Sequence, residues 1–129
     1  MIYILLNLPQ ILAATGAGLA AGVLFLRFVA RRRVKSLRWW ATAALAEAWL
    51  AAILAGALIL APAEAPRTVM ALLTPVVIWA GFVLPAILVA HTTRGLALRT
   101  AGVDALHVLV VAVIQAVVLH TWGLEPPPR

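Results

Sequence analysis

The stretch "ATGAGLAAG", Ala14 to Gly22, carries two incompatible readings, and the fold depends on which one holds. Its core, Gly16-x-Gly18-x-x-Ala21, fits the dinucleotide fingerprint G-x-G-x-x-G/A. That fingerprint needs a strand before it, a helix opening at the glycines and an acidic residue ~20 positions later for the ribose. Here the glycines lie inside one apolar run from about Ile2 to Val29, and the next acid is Glu47. The nucleotide reading therefore fails. In the other reading Ala14, Gly18 and Gly22 recur at every fourth position beside Ala13, Ala17 and Ala21, so two neighbouring ridges of a helix are almost bare of side chain. In lipid, where the hydrophobic effect cannot press helices together, small residues provide packing energy by letting backbones approach. Ala14, Gly18 and Gly22 are expected to form a helix-packing face, for a helix of the same chain or of a second copy. The second apolar run, "ATAALAEAWLAAILAGALILA", is equally rich in alanine and is the natural partner.

The rest of the chain agrees with a membrane setting. Of its 129 residues 65% are hydrophobic and only 11% charged, and the mean hydropathy is +1.09, far outside the balance of soluble domains. Four apolar runs, about 2–29, 37–61, 68–90 and 101–123, each reach the ~20 residues that cross a bilayer as a helix. The expected fold is an all-α membrane protein, one domain over 1–129, with four transmembrane helices in an up-down bundle. No stretch is left for an aqueous domain. The opening "MIYILLNLPQ" has no basic residue ahead of its apolar run, so the first span is expected to be retained rather than removed as a signal peptide. With Cys absent, disulfides and thiolate chemistry are excluded.

The formal charge is +6, and its placement says more than its size. Arg27, Arg31, Arg32, Arg33, Lys35 and Arg38 surround the first connection, and Arg94 and Arg99 the third, leaving Arg67 and Arg129 for the other side. The positive-inside rule puts both basic loops in the cytoplasm and both termini outside, in a bacterial inner membrane. Arg31, Arg32, Arg33, Lys35 and Arg38 form the kind of cluster that anionic lipid headgroups attract. Nucleic acid is not an expected partner, because no folded aqueous module presents these charges.

The connections read as short hairpins. Ser36 and Thr100 are placed to cap the second and fourth helices, Gly95 to follow the third, and Pro9 to begin or bend the first. In "WAGFVLPAILVAH" Pro85 removes a donor and crowds the carbonyl of Gly81, so the third helix is expected to kink there, with Gly81 and Pro85 as a candidate hinge.

Ionisable groups in hydrocarbon are the best pointers to function, because each costs several kcal/mol unless paired or hydrated. Glu47 lies about nine residues into the second span, roughly 13 Å from its cytoplasmic end and near the midplane. On the fourth span Asp104, His107, Val111 and Gln115 follow the spacing of one helical face. Depth matching pairs Glu47 with His107 and Arg27 with Asp104, in a polar cluster of Glu47, His107, Asp104, Arg27 and Gln115. Such a cluster either locks the bundle in register or exchanges a proton, since a His beside a carboxylate titrates near physiological pH. Arg27 could instead snorkel to the headgroups, and Asp104 could merely complement its own helix dipole. Three histidines and two acids raise a metal reading, with His91, His107, Asp104 and Glu47 as the only set that could converge. The absence of H-x-x-H and H-E-x-x-H argues against it, and no metal or cofactor is expected. The single serine, Ser36, has no triad or elbow motif around it, so no catalytic residues are assigned.

The second half, "WAGFVLPAILVAHTTRGLALRTAGVDALHVLVVAVIQAVVLHTW", resembles a family of small four-span bacterial membrane proteins catalogued as domain of unknown function 1761. The likeness rests on Gly81-Phe82-x-x-Pro85, a short polar loop, and a small and polar opening to a last helix that runs to Trp122. It implies four helices with both termini on one side, and no activity. The expected function is a non-enzymatic inner-membrane protein acting as a homo-oligomer, or as an accessory subunit of a larger membrane complex, through its Gly/Ala-rich faces. The alternative is a small oligomeric transporter or channel with Glu47 and His107 lining a polar path.

Overall fold

Apolar runs separated by Pro, Gly and charged residues can satisfy their backbones in a bilayer only as helices, and helices are what form. A computed structural model describes residues 2–33, 36–62 and 64–128. In chain order the elements are α1 (Ile2–Leu6), α2 (Leu8–Phe28), α3 (Leu37–Ile59), α4 (Arg67–Ile78), a π-helical turn (Trp79–Val83), α5 (Leu84–Thr93) and α6 (Leu98–Trp122). Four continuous segments are long and apolar enough to cross a membrane: α2, α3, the combined α4–α5 segment Arg67–Thr93, and α6. The protein is thus a multi-pass, all-α membrane protein whose successive spans alternate in direction.

The spans differ from the sequence expectation at their ends, for local reasons. The first is divided at Asn7, and Pro9 takes the second position of α2, where a missing N–H costs nothing. Asn7 is fully buried. Its Nδ2 donates to the carbonyls of Tyr3 and Glu125, each at 2.9 Å, and its Oδ1 accepts the Glu125 N–H at 2.8 Å. One amide thereby ties the C-terminal segment across the end of the bundle that holds both termini. Ser36 caps α3 as expected, accepting the Trp39 N–H at 3.2 Å, and Gly95 follows α5 with φ +67°. Thr100 does not cap α6: the helix begins earlier, at Leu98, after an extended Ala97 that offers no side-chain cap.

The third span departs from α geometry just before Pro85. Pro85 cannot donate and its ring displaces the carbonyl of Gly81, so the backbone takes in one extra residue. The Leu84 N–H reaches back five positions to the Trp79 carbonyl. This π turn contains Gly81, and the Trp79 indole pins it to α6 by donating to the Ala105 carbonyl at 2.7 Å.

Helix α6 touches each of the other spans, more extensively α2 and the third span than α3. Ile11, Ala14, Ala51, Leu54, Ala55, Ala112 and Leu119 make the tight apolar core where α2, α3 and α6 meet. The third span lies outside this trio, with 6% of its apolar stretch buried against 39% for α2.

Candidate functional site

The bare face of α2 receives polar side chains rather than a bare face of another helix. Gly18 and Gly22 are both buried. A Cβ at Gly18 would stand 2.6 Å from both Nε2 of Gln115 and Oε2 of Glu47. At Gly22 it would stand 2.9 Å from Nε2 of His107 and 3.5 Å from Oε1 of Glu47. Ala14 continues the same face outward, fully buried in the apolar core. The sequence expectation that this face packs within the chain or against a second copy resolves to the first, because the chain's own α3 and α6 occupy it.

Three spans thus build one site. Helix α2 supplies a floor without side chains, α3 delivers Glu47, and α6 delivers His107 and Gln115 two turns apart on its inner face. Glu47 is 9% exposed and Gln115 wholly enclosed. Gln115 Nε2 donates to the main-chain carbonyl of Glu47 at 3.1 Å. The His107 ring lies against Phe25, with centroids 5.6 Å apart. Among the described residues four buried side-chain polar atoms have no partner, and three of them are here: Glu47 Oε2, His107 Nε2 and Gln115 Oε1. The fourth, Gln10 Oε1, belongs to the outer part of α2. Glu47 and His107 share the Gly22 surface, yet no ion pair joins them among the described residues.

Asp104 belongs to a different group, at the end of the bundle that carries the basic loops. Its Oδ1 accepts from Arg32 Nη1 at 2.9 Å, and its Oδ2 lies 3.0 Å from His91 Nε2. The expected Arg27–Asp104 pair is absent: Arg27 is exposed and lies over the Phe28 ring at 5.7 Å. Arg27 is on the last turn of α2 and points outward, whereas the chain beyond Val29 turns back and carries Arg32 over the start of α6. Arg31, Arg33 and Arg38 are exposed on the same side, and Lys35 lies outside the described residues. His91, Asp104, His107 and Glu47 do not converge on one point, and no three potential metal ligands cluster among the described residues.

His91 and Arg32 carry contacts the sequence reading did not give them. The signal available was depth, since His91 and Asp104 flank the same short loop and lie at similar levels. Asn7 offered no such signal inside its apolar run. Gly81 and Pro85 sit at the π turn, and nothing approaches within 4 Å of a Cβ built on Gly81.

No family model matches the chain, and no curated protein or solved structure does either.

Proposed function

We propose that this protein is a small, non-enzymatic, multi-pass protein of a bacterial inner membrane that holds a small polar or ionic species at the Glu47, His107 and Gln115 site, in the manner of a compact transporter. The observation that carries this reading is the convergence of Glu47, His107 and Gln115 on one side-chain-free helix face, each with a buried polar atom that has no partner. An unpaired polar group in hydrocarbon is costly and marks a ligand or ion site more readily than a packing site. In this reading the basic loops face the cytoplasm, and Arg31, Arg33 and Arg38 rest among anionic headgroups. A species held by the folded state raises its stability as its concentration rises. The unfolding midpoint in lipid–detergent micelles is therefore expected to depend on pH or on added NaCl or KCl, and Glu47→Gln to abolish that dependence. A wild-type midpoint indifferent to all three would remove the reading.

A second reading, as a homo-oligomer or an accessory subunit, is favoured by another part of α2. Gly16 and Ala20 are exposed, four residues apart, and nothing lies within 4 Å of a Cβ built on Gly16. Such a face lets a second helix approach closely. The mass of the complex released from native membranes tests it: a multiple of the 13.7 kDa chain that Gly16→Leu breaks supports association through this face, and a lone chain contradicts it.

A further inference from the structure

We infer that the species held at this site is a proton, passed from the cytoplasmic end along His91, Asp104, His107 and Glu47, and stopped there by an apolar layer. The inference rests on the reading of the site as a ligand site.

The outer members of the series are set by hydrogen-bond stereochemistry. His91 Nδ1 is 2.9 Å from the Ile87 carbonyl, which can only accept, so Nδ1 bears a hydrogen. His91 Nε2 is 3.0 Å from Asp104 Oδ2, while Arg32 donates to Oδ1 of the same carboxylate. Against an ionised Asp104 the Nε2 contact is a hydrogen bond only when Nε2 bears a hydrogen as well. The alternative is one proton transfer away: the Nε2 proton passes to Oδ2, leaving a neutral imidazole that accepts from a carboxylic acid, with no heavy atom displaced. The His91 side chain is 13% exposed and that of Asp104 28%, so the pair is open to its surroundings beside the basic loops.

The inner members follow along α6. His107 is three residues beyond Asp104 on the same face, one turn deeper. Its Nε2 and Glu47 Oε1 face the same bare Gly22 surface, 2.9 and 3.5 Å from the position a Cβ would take there, near enough for one water to bridge them. The groups around Glu47 can be named by element. Helix α2 presents only Gly18 and Gly22, its Arg27 being turned outward; α6 presents His107 and the neutral Gln115; the third span contributes His91 and the first loop Arg32, both at the cytoplasmic end beside Asp104. Outward of Gln115 the interior is Ile11, Ala14, Leu54, Ala55, Ala116 and Leu119, all 3% exposed or less, with the neutral Thr15, Gln10 and Asn7 among and beyond them, and none of these titrates. The path is blind, so the site fills from one side.

The identity of the ion follows from the entrance. Arg32 pairs with Asp104 there, Arg31 and Arg99 line the same recess as Arg32, and clustered positive charge repels a free metal cation. A proton handed along hydrogen bonds does not travel as a free ion, and an imidazole–carboxylate pair is suited to pass it.

The test is infrared spectroscopy of the protein in vesicles, reading the C=O stretch of a protonated carboxyl after flash release of protons on the basic-loop side. Wild type is expected to show a band that Glu47→Gln removes. Asp104→Asn is expected to keep the band at equilibrium but to slow its rise roughly 10²-fold, the scale of a lost proton-transfer group, and Asp104→Glu to restore the rate. Proton release on the opposite side is expected to give a slow rise even in wild type. A band that forms equally fast in Asp104→Asn, or from the opposite side, overturns the path while leaving the ligand site standing. No Glu47 band at any pH, with an unfolding midpoint that follows NaCl or KCl, overturns the proton and keeps the site. If neither signal is found, both readings fall.

Discussion

Gln115 donates from Nε2 to the main-chain carbonyl of Glu47, 68 positions away in sequence, at 3.1 Å. Only the NH2 end of an amide can donate to a carbonyl, so this contact fixes which way Gln115 points. Its Oε1 is thereby left buried without a partner, while Nε2 shares the Gly18 surface with Oε2 of Glu47. The same bond joins α3 to α6 at the level of Gly18, so the packing of the trio and the shape of the site cannot be altered independently.

The glycines of α2 should therefore differ sharply in tolerance. Gly18→Ala drives a methyl into Gln115 and Glu47 and is expected to cost about 1–3 kcal/mol, the scale of overpacking a filled interior. Gly16→Ala meets nothing within 4 Å and, by helix propensity, should be neutral or stabilising by up to about 1 kcal/mol. Equilibrium unfolding in mixed micelles measures both, and equal effects at the two positions would contradict the placement of the site.

The Trp79 indole is the one described side-chain hydrogen bond between the π turn and α6. Trp79→Phe keeps the ring bulk and removes the donor, so a loss of about 1 kcal/mol is expected. Hydrogen exchange should increase across Trp79–Val83 while the α2–α3 pair remains protected.

At the outer end, Asn7→Ala removes both the donor and the acceptor that hold Glu125. Local opening should become easier by about 1–3 kcal/mol, which exchange at the Glu125 amide reads as roughly a 10- to 100-fold acceleration. An unchanged rate would show that the C-terminal segment is held by something else.

Asp104→Asn loses its charge pairing with Arg32 and His91, but in a half-exposed setting, with the Arg32 side chain 50% exposed. Pairs of this kind contribute under about 1 kcal/mol. The variant should fold like wild type, and a midpoint much lower than that would mean the group is structural rather than an entrance.

Much of this arrangement was legible in the sequence. The helical period of Asp104, His107, Val111 and Gln115 placed an imidazole and an amide on one inner face, and simple counting put Glu47 at their depth. What counting could not supply was rotation. Arg27 and Asp104 match in depth, but Arg27 leaves α2 on the outer side, and it is the returning loop that brings Arg32 to Asp104. Nor does a small-residue pattern distinguish a face that meets another backbone from one that receives long polar side chains; Gly18 and Gly22 do the second. The π turn was visible as a disturbance at Pro85, although its form depended on whether the backbone dropped a hydrogen bond or took in a residue. Asn7 was hidden because, apart from the Tyr3 carbonyl one turn back, its partners are main-chain groups of a segment 118 positions away.

Glu47 and His107 share one buried surface against α2, and solid-state NMR of the protein in lipid, with 15N-labelled histidine and 13C-labelled glutamate, reads that proximity. A through-space contact is expected between the His107 ring nitrogen and the Glu47 carboxyl carbon, lost in Glu47→Gln lacking the label, together with no contact from Glu47 to lipid acyl chains. A Glu47 carboxyl that contacts lipid and shows no transfer to His107 would contradict it.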